Sequence, residues 1–218
     1  MPTLALSTGA EARVTNGVHA RMVVLVNGGQ RALVPGTWSA TLEWLTRGLA
    51  PRFPGLGFVE VRYRTKSWQR LDDCVADAVA AVDLAVSEGA SRCALLGFSM
   101  GGAVSSQAVG HDAVTTMIGL APWFPDRLGV QALAGRRLVV LHGSLDRYLP
   151  GIPGVSPVNS RAGFERALAA GAEGEYTLIK GGVHGVAVRA PWGLLALPRA
   201  RTWRQLIAAE LARFQISE

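Results

Sequence analysis

Residues Cys93 to Gly102 read CALLGFSMGG and set Ser99 between Gly97 and Gly101. The apolar run from Cys93 to Leu96 predicts a buried strand of a parallel sheet, and the small residues from Gly101 onward suit a helix packed closely against it. The turn between them must be very tight. Such a turn strains the backbone of its middle residue and crowds the positions two residues to either side, which is why glycine is wanted there. The strain leaves the Ser99 hydroxyl projecting above the sheet edge, as a nucleophile requires. A plain glycine-rich turn is the alternative reading of the same residues.

Strand and helix patterns alternate on both sides of this point. Upstream, Met22 to Val26 (MVVLV) reads as a strand, with one or two edge strands before Arg21. Thr37 to Leu49 has helical spacing of Trp38, Leu42, Leu45 and Leu49, with Thr37 or Ser39 as cap. Phe58 to Tyr63 alternates as a strand. Leu71 to Val86 is the clearest helix, with Val75, Val79, Val82 and Val86 on one stripe and Asp72 or Asp73 in the first turn. Downstream, strands are expected at Thr115–Leu120, Leu138–Leu141 and Glu175–Ile179, a helix at Asn159–Ala170, and a closing amphipathic helix bearing Trp203, Leu206, Ile207, Leu211 and Phe214. The alternation predicts an α/β fold with a right-handed, doubly wound, mostly parallel sheet and helices on both faces. Too few residues separate Pro125 from Leu138 for an inserted lid domain.

At 218 residues and 49% hydrophobic content, the chain suits one compact domain spanning 1–218. Its formal charge of +6 and pI near 10.1 raise the question of an anionic partner. The arginines are scattered from Arg13 to Arg213 with no basic run and no interleaved aromatics, so nucleic acid is not an expected partner. Cys74 and Cys93 are the only cysteines, one on a helix and one on a core strand, and read as buried thiols. The first residues lack the cationic start and apolar stretch of a signal peptide, and Asp77 and Asp83 interrupt the longest apolar helix. A cytoplasmic chain without a membrane span is expected; its oligomeric state is not legible.

Three polar residues follow the carboxyl ends of three expected strands: Ser99, Asp146 and His184. In an open parallel sheet that rim is where distant residues converge. A serine hydroxyl needs a base tuned near neutral pH, histidine supplies one, and a carboxylate holds the imidazole in one tautomer. His19 and His111 fall away from the rim, and His142 reads as support for the loop carrying Asp146. Asp126 also follows a rim strand and is the rival acid. Asn27-Gly28-Gly29-Gln30, after the first strong strand, offers backbone amides for an oxyanion, or is an ordinary turn.

The order Ser, Asp, His, carried by Gly97-Phe98-Ser99-Met100-Gly101, by His142-Gly143-Ser144-Leu145-Asp146 with Pro150 shortly after, and by Gly182-Val183-His184-Gly185, resembles the α/β-hydrolase fold superfamily. The resemblance runs from about Met22 to Phe214. It implies an oxyanion hole made by the backbone N–H of Met100 with that of Gly29, Gln30 being the alternative. Members usually have histidine where this chain has Asn27. Within the superfamily the chain is similar to small, lidless esterases and dienelactone-hydrolase-like proteins. The latter carry cysteine as nucleophile, so their substrate does not transfer to Ser99. Dehalogenases and epoxide hydrolases place aspartate at the elbow, which this chain lacks.

What the resemblance implies is a serine hydrolase that cleaves a carboxylic ester through an acyl-enzyme, with an acyltransferase or thioesterase using the same triad as the alternative. A non-catalytic ligand- or partner-binding protein is the reading of another class. No metal or organic cofactor is expected, since His, Cys and Asp do not fall at ligand spacing. Phe98, Trp38, Trp123 and the stretch Val186 to Leu197 are candidate pocket walls for a small or open-bound ester, as is Leu149 to Pro157; core anchors are the alternative. Arg147 and Arg189 are candidate anion contacts, or solvated arginines.

Overall fold

A computed structural model of the chain describes residues 3–147 and 154–217. Eight strands form one sheet in the order β1-β2-β4-β3-β5-β6-β7-β8. β1 (Thr3–Ala5) and β2 (Glu11–Thr15) are its antiparallel edge, β2 pairing with β4 (Gly57–Arg62). From β4 onward, β3 (Arg21–Val26), β5 (Arg92–Phe98), β6 (Val114–Leu120), β7 (Arg137–Gly143) and β8 (Glu173–Ile179) run parallel. The middle of each central strand is buried on both faces, as in Met22–Val26, Cys93–Leu96 and Leu138–Leu141, because both faces of the sheet are covered.

Alternate residues of each strand feed different cores. Met22, Val24, Cys93, Leu95, Leu138 and Val140 face one layer, made by α2 (Leu71–Ser87), α3 (Met100–Ala108) and α4 (Pro157–Ala169). Val23, Leu25, Ala94, Leu96, Val139 and Leu141 face the other, made by α1 (Ala40–Leu49) and α5 (Ala200–Ile216). Ser39 caps α1, its hydroxyl accepting from Leu42 N–H. There is no separate lid domain, and no helix among the described residues is long and apolar enough to cross a membrane.

Two expectations change. The buried stripe of α2 is Leu71, Cys74, Ala78, Ala81 and Ala85 rather than the valine stripe: Val82 is buried, but Val75 and Val79 are only partly so and Val86 is exposed. Small side chains let this helix approach the sheet and α3, and the larger valines are displaced to its flank. Residues after His184, read as a candidate pocket wall with no strand expected among them, fold into a hairpin of β9 (Ala187–Ala190) and β10 (Gly193–Ala196) lying on α1. Cys74 and Cys93 are buried free thiols, and burial pushes both up to about 11.

Candidate active site

Ser99 joins β5 to α3 at φ 56° and ψ −119°, a conformation that side chains of L-residues avoid. It is held by its neighbours. Its N–H donates to Leu120 O (2.9 Å), and its carbonyl accepts from Gly102 N–H (2.8 Å) and Trp123 N–H (2.9 Å). The flanking glycines are required by close approach: a Cβ on Gly97 would strike Gly101 O, and one on Gly101 would strike Val26 O. The same contact brings the end of β3 and its loop against the elbow.

His184 approaches from the loop after β8. Its Nε2 lies 3.1 Å from Ser99 Oγ and its Nδ1 lies 2.7 Å from Asp146 Oδ2. Facing a carboxylate, Nδ1 carries the proton, leaving Nε2 to accept from the serine hydroxyl. Gly185, at φ 89°, turns the chain sharply, and Thr41 of α1 receives it: the Thr41 hydroxyl accepts from Val186 N–H (3.1 Å) and donates to Ala187 O (3.2 Å). Nothing in the sequence signals this role for Thr41.

Asp146 is buried, and both carboxylate oxygens are bonded. Oδ1 accepts from Val155 N–H (3.1 Å), while Oδ2 faces both His184 and His142 Nε2 (3.0 Å). His142 Nε2 also faces Val155 O (2.9 Å); with two acceptors in front of it, Nε2 carries the proton. Nδ1 of the neutral ring is then the acceptor for the Ser160 hydroxyl (2.6 Å), and Tyr176 O–H donates to Pro157 O (3.0 Å) beside it. Burial alone would push the Asp146 carboxyl up, but the hydrogen bonds from His142 and His184 outweigh it and hold it below the usual carboxylate range. His142 is therefore the support expected of it; the Ser160 and Tyr176 continuation was not legible, because α4 and β8 supply it from distant sequence.

The loop after β3 lies beside the elbow. Asn27 organises it, with Oδ1 accepting from Gly28 N–H (2.7 Å), Nδ2 donating to Thr37 O (2.8 Å) and its carbonyl accepting from the buried Tyr63 hydroxyl (2.8 Å). The Gly28 amide is thus taken, leaving those of Gly29 and Gln30 as candidates for an oxyanion. A Cβ on Gly29 would run into the Met100 side chain, so that glycine allows the loop to close on the elbow. Met100 opens α3, where amides lack an intrahelical acceptor.

The expected pocket residues fare differently. Phe98 stacks on the His184 ring, centroids 5.0 Å apart, and so touches the candidate base. Trp38 lies under Arg13 and Arg62 in a cavity of about 320 Å³ with Glu43 and Glu60, at the β2 edge and not with Ser99. Sequence spacing had set it on the core face of a helix that in fact begins at Ala40. Trp123 reaches Ser99 only through its backbone; its ring packs on Trp68, centroids 5.8 Å apart. Arg189 is bound to Glu43 (2.6 Å), Arg147 is exposed, and the rival acid Asp126 is exposed and paired with Arg166 (2.6 Å). Residues 148–153, with Pro150 and much of the expected Leu149–Pro157 wall, lie outside the described residues.

Comparison with known proteins agrees with this fold. A search of curated proteins returns no match. Among solved structures, Est1E from Butyrivibrio proteoclasticus with ferulic acid bound superposes with a TM-score of 0.73 at 12% identity, covering 100% of both chains. A serine hydrolase homologue from Coxiella burnetii gives 0.70 at 16% identity over 96% of each chain, and a dienelactone hydrolase from Anabaena variabilis gives 0.67 at 16% over 95% of this chain and 94% of that one. At these identities the likeness is one of fold. The sequence itself matches the alpha/beta hydrolase family over residues 23–216, most of its length, and the chain belongs to that family.

Proposed function

We propose that the chain is a serine hydrolase that cleaves a carboxylic ester through an acyl-enzyme, with Ser99 as nucleophile, His184 as base and Asp146 as the acid that orients it. One observation carries the reading: His184 bridges a strained, rim-exposed serine at 3.1 Å and a buried carboxylate at 2.7 Å. The occurrence of a serine hydrolase homologue and a dienelactone hydrolase among the similar folds supports it.

Ser99 Oγ attacks the ester carbonyl as its proton passes to His184 Nε2. The carbonyl oxygen becomes an oxyanion that accepts hydrogen bonds from the amides of Met100 and Gly29. Collapse breaks the bond to the alkoxy oxygen, which takes the proton from His184 and departs as alcohol. A water then attacks the acyl group, gives its proton to His184, and the acid leaves as Ser99 regains its hydrogen. Asp146 stays ionised throughout and stabilises the imidazolium formed in each half. Intact-mass analysis after fluorophosphonate treatment tests this. One adduct per wild-type chain, absent in Ser99→Ala and His184→Ala, is expected; no adduct on folded wild-type protein would overturn the reading.

A further inference from the structure

An open groove of about 600 Å³ lies beside the elbow, lined by Arg31, Trp68, Gln69, Trp123 and Arg127. Both of its walls are hydrogen-bonded to the backbone of the candidate site. Trp123 N–H donates to Ser99 O (2.9 Å), and Trp68 N–H donates to Gln30 O (3.0 Å) in the loop that carries the candidate oxyanion donors. The two tryptophans that line the groove are thus each one backbone hydrogen bond from a residue of the candidate site.

Its chemistry is mixed in a particular way. Trp68 and Trp123 are in tilted ring contact at 31° and both line the groove, giving it an aromatic wall suited to a flat ring. Arg31 and Arg127 are exposed, and neither guanidinium has an ion-pair or hydrogen-bond partner among the described residues, the Arg31 carbonyl alone accepting from the Ser67 hydroxyl (3.0 Å). That contrasts with the cavity at Trp38, where Arg13 is held by Glu43 and Glu60 and its charge is already neutralised. Beyond Trp68 a second depression includes Asp72 and Asp73 with Arg127, but Asp73 is taken by Arg70 (2.6 Å) and the groove itself has no acid in its lining. Two unneutralised guanidiniums flanking an aromatic face select a planar group that carries negative charge.

We propose that this groove is the substrate-recognition site, and that it takes an ester whose acyl or alcohol half is an aromatic ring bearing a second, anionic substituent such as a carboxylate. The proposal rests on the ester-hydrolase reading above. The aromatic face binds the ring, Arg31 and Arg127 bind the remote carboxylate, and the scissile carbonyl falls at Ser99.

Two matched substrate pairs test it, one for each half of the ester: para-acetoxybenzoate against para-acetoxybenzamide, and methyl para-carboxybenzoate against methyl para-carbamoylbenzoate. Within a pair the ring is of nearly the same size, and dividing each kcat/KM by the same ester's rate of alkaline hydrolysis removes the difference in intrinsic reactivity, so the normalised ratio reports recognition of charge. Wild-type protein is expected to favour the carboxylate of at least one pair by about tenfold, and the Arg31→Gln, Arg127→Gln double variant to bring that ratio to about one. The preference should also shrink as salt is raised. No preference in either pair, or a preference that survives in the double variant, would overturn the assignment. If wild-type protein hydrolyses no ester, the hydrolase reading has failed and the groove is read by binding alone. Para-hydroxybenzoate should then quench tryptophan fluorescence saturably in wild type but not in the double variant, and para-hydroxybenzamide should not; no difference between the two ligands would sink the groove independently.

Discussion

Ser99 is held in a backbone conformation it would not adopt alone, and Asp146 stays ionised to lower pH than a free carboxyl would; each makes a measurable difference to stability. At Ser99 the backbone sits at φ 56° and ψ −119°, where a side chain costs about 1–3 kcal/mol. Glycine removes that strain but adds about 0.5–1 kcal/mol of unfolded-chain entropy. The strain is the larger, so Ser99→Gly should be more stable than Ser99→Ala by about 1 kcal/mol in urea denaturation, although both lose fluorophosphonate labelling. Equal stabilities would mean that the elbow is not strained. At Asp146 the folded carboxyl lies below its ordinary value, so between the two values the unfolded chain binds a proton that the folded chain does not. Stability therefore rises with pH through that window: the contribution is complete above about 3.9, the ordinary carboxyl value, and is lost as pH falls through the folded one. The stability gap between wild type and Asp146→Asn should be widest near neutrality and narrow on acidification. A gap independent of pH would show that the carboxyl is not held ionised.

Among the elements, the β9–β10 hairpin is fastened to the sheet through α1. Glu43 on α1 takes Arg189 of β9 at 2.6 Å and Arg13 of β2 at 3.1 Å, while Thr41 two residues earlier bonds the backbone at Val186 and Ala187. Burial pushes the Glu43 carboxyl up, but Arg189 and Arg13 outweigh it and hold it low, so it acts as an anion between cations. Glu43→Gln should cost about 1–3 kcal/mol, and amide exchange should rise in residues 187–196 before it rises in β5 or β6. Uniform exchange across the chain would mean that Glu43 does not fasten the hairpin. This element also marks where sequence reading stops. The elbow, the loop bearing Asp146 and the glycine-flanked His184 carry their own chemistry in neighbouring residues, so they are legible in order. Ala187 to Ala196 carries apolar residues on a hairpin whose partner is a helix some 140 positions upstream, a separation visible in the Thr41 contacts, and no local pattern encodes that pairing. Trp38 fails for the same reason, since Arg13 and Arg62 reach it from two other strands. The α2 stripe differs from the expected one because helical period gives a face but not how near the sheet lies; beside Leu71 and Val82 it is alanines and a cysteine that fill the space, while Val75, Val79 and Val86 lie off it.

Across the whole molecule, chemistry and anchoring occupy opposite ends of the sheet. Ser99, Asp146 and His184 follow the carboxyl ends of β5, β7 and β8. At the amino ends, α5 returns and is clasped: Arg21 and Arg92 donate to Ser217 O at 2.6 and 3.0 Å, Arg137 holds Glu210 at 2.8 Å, and Phe214 is buried in the core between α5 and the sheet. The parallel strands between the two ends are close-packed and rigid, so loss of packing at the clasp lowers the stability of the whole without re-aiming side chains at the rim. Phe214→Ala should cost about 3–5 kcal/mol, a large part of the about 5–15 kcal/mol that holds a domain together. The fluorophosphonate labelling rate, measured in the absence of urea and divided by the folded fraction from circular dichroism, should nevertheless equal that of wild type. A slower rate per folded chain would show that the clasp and the rim are coupled through the sheet, and that the two ends are not energetically separate.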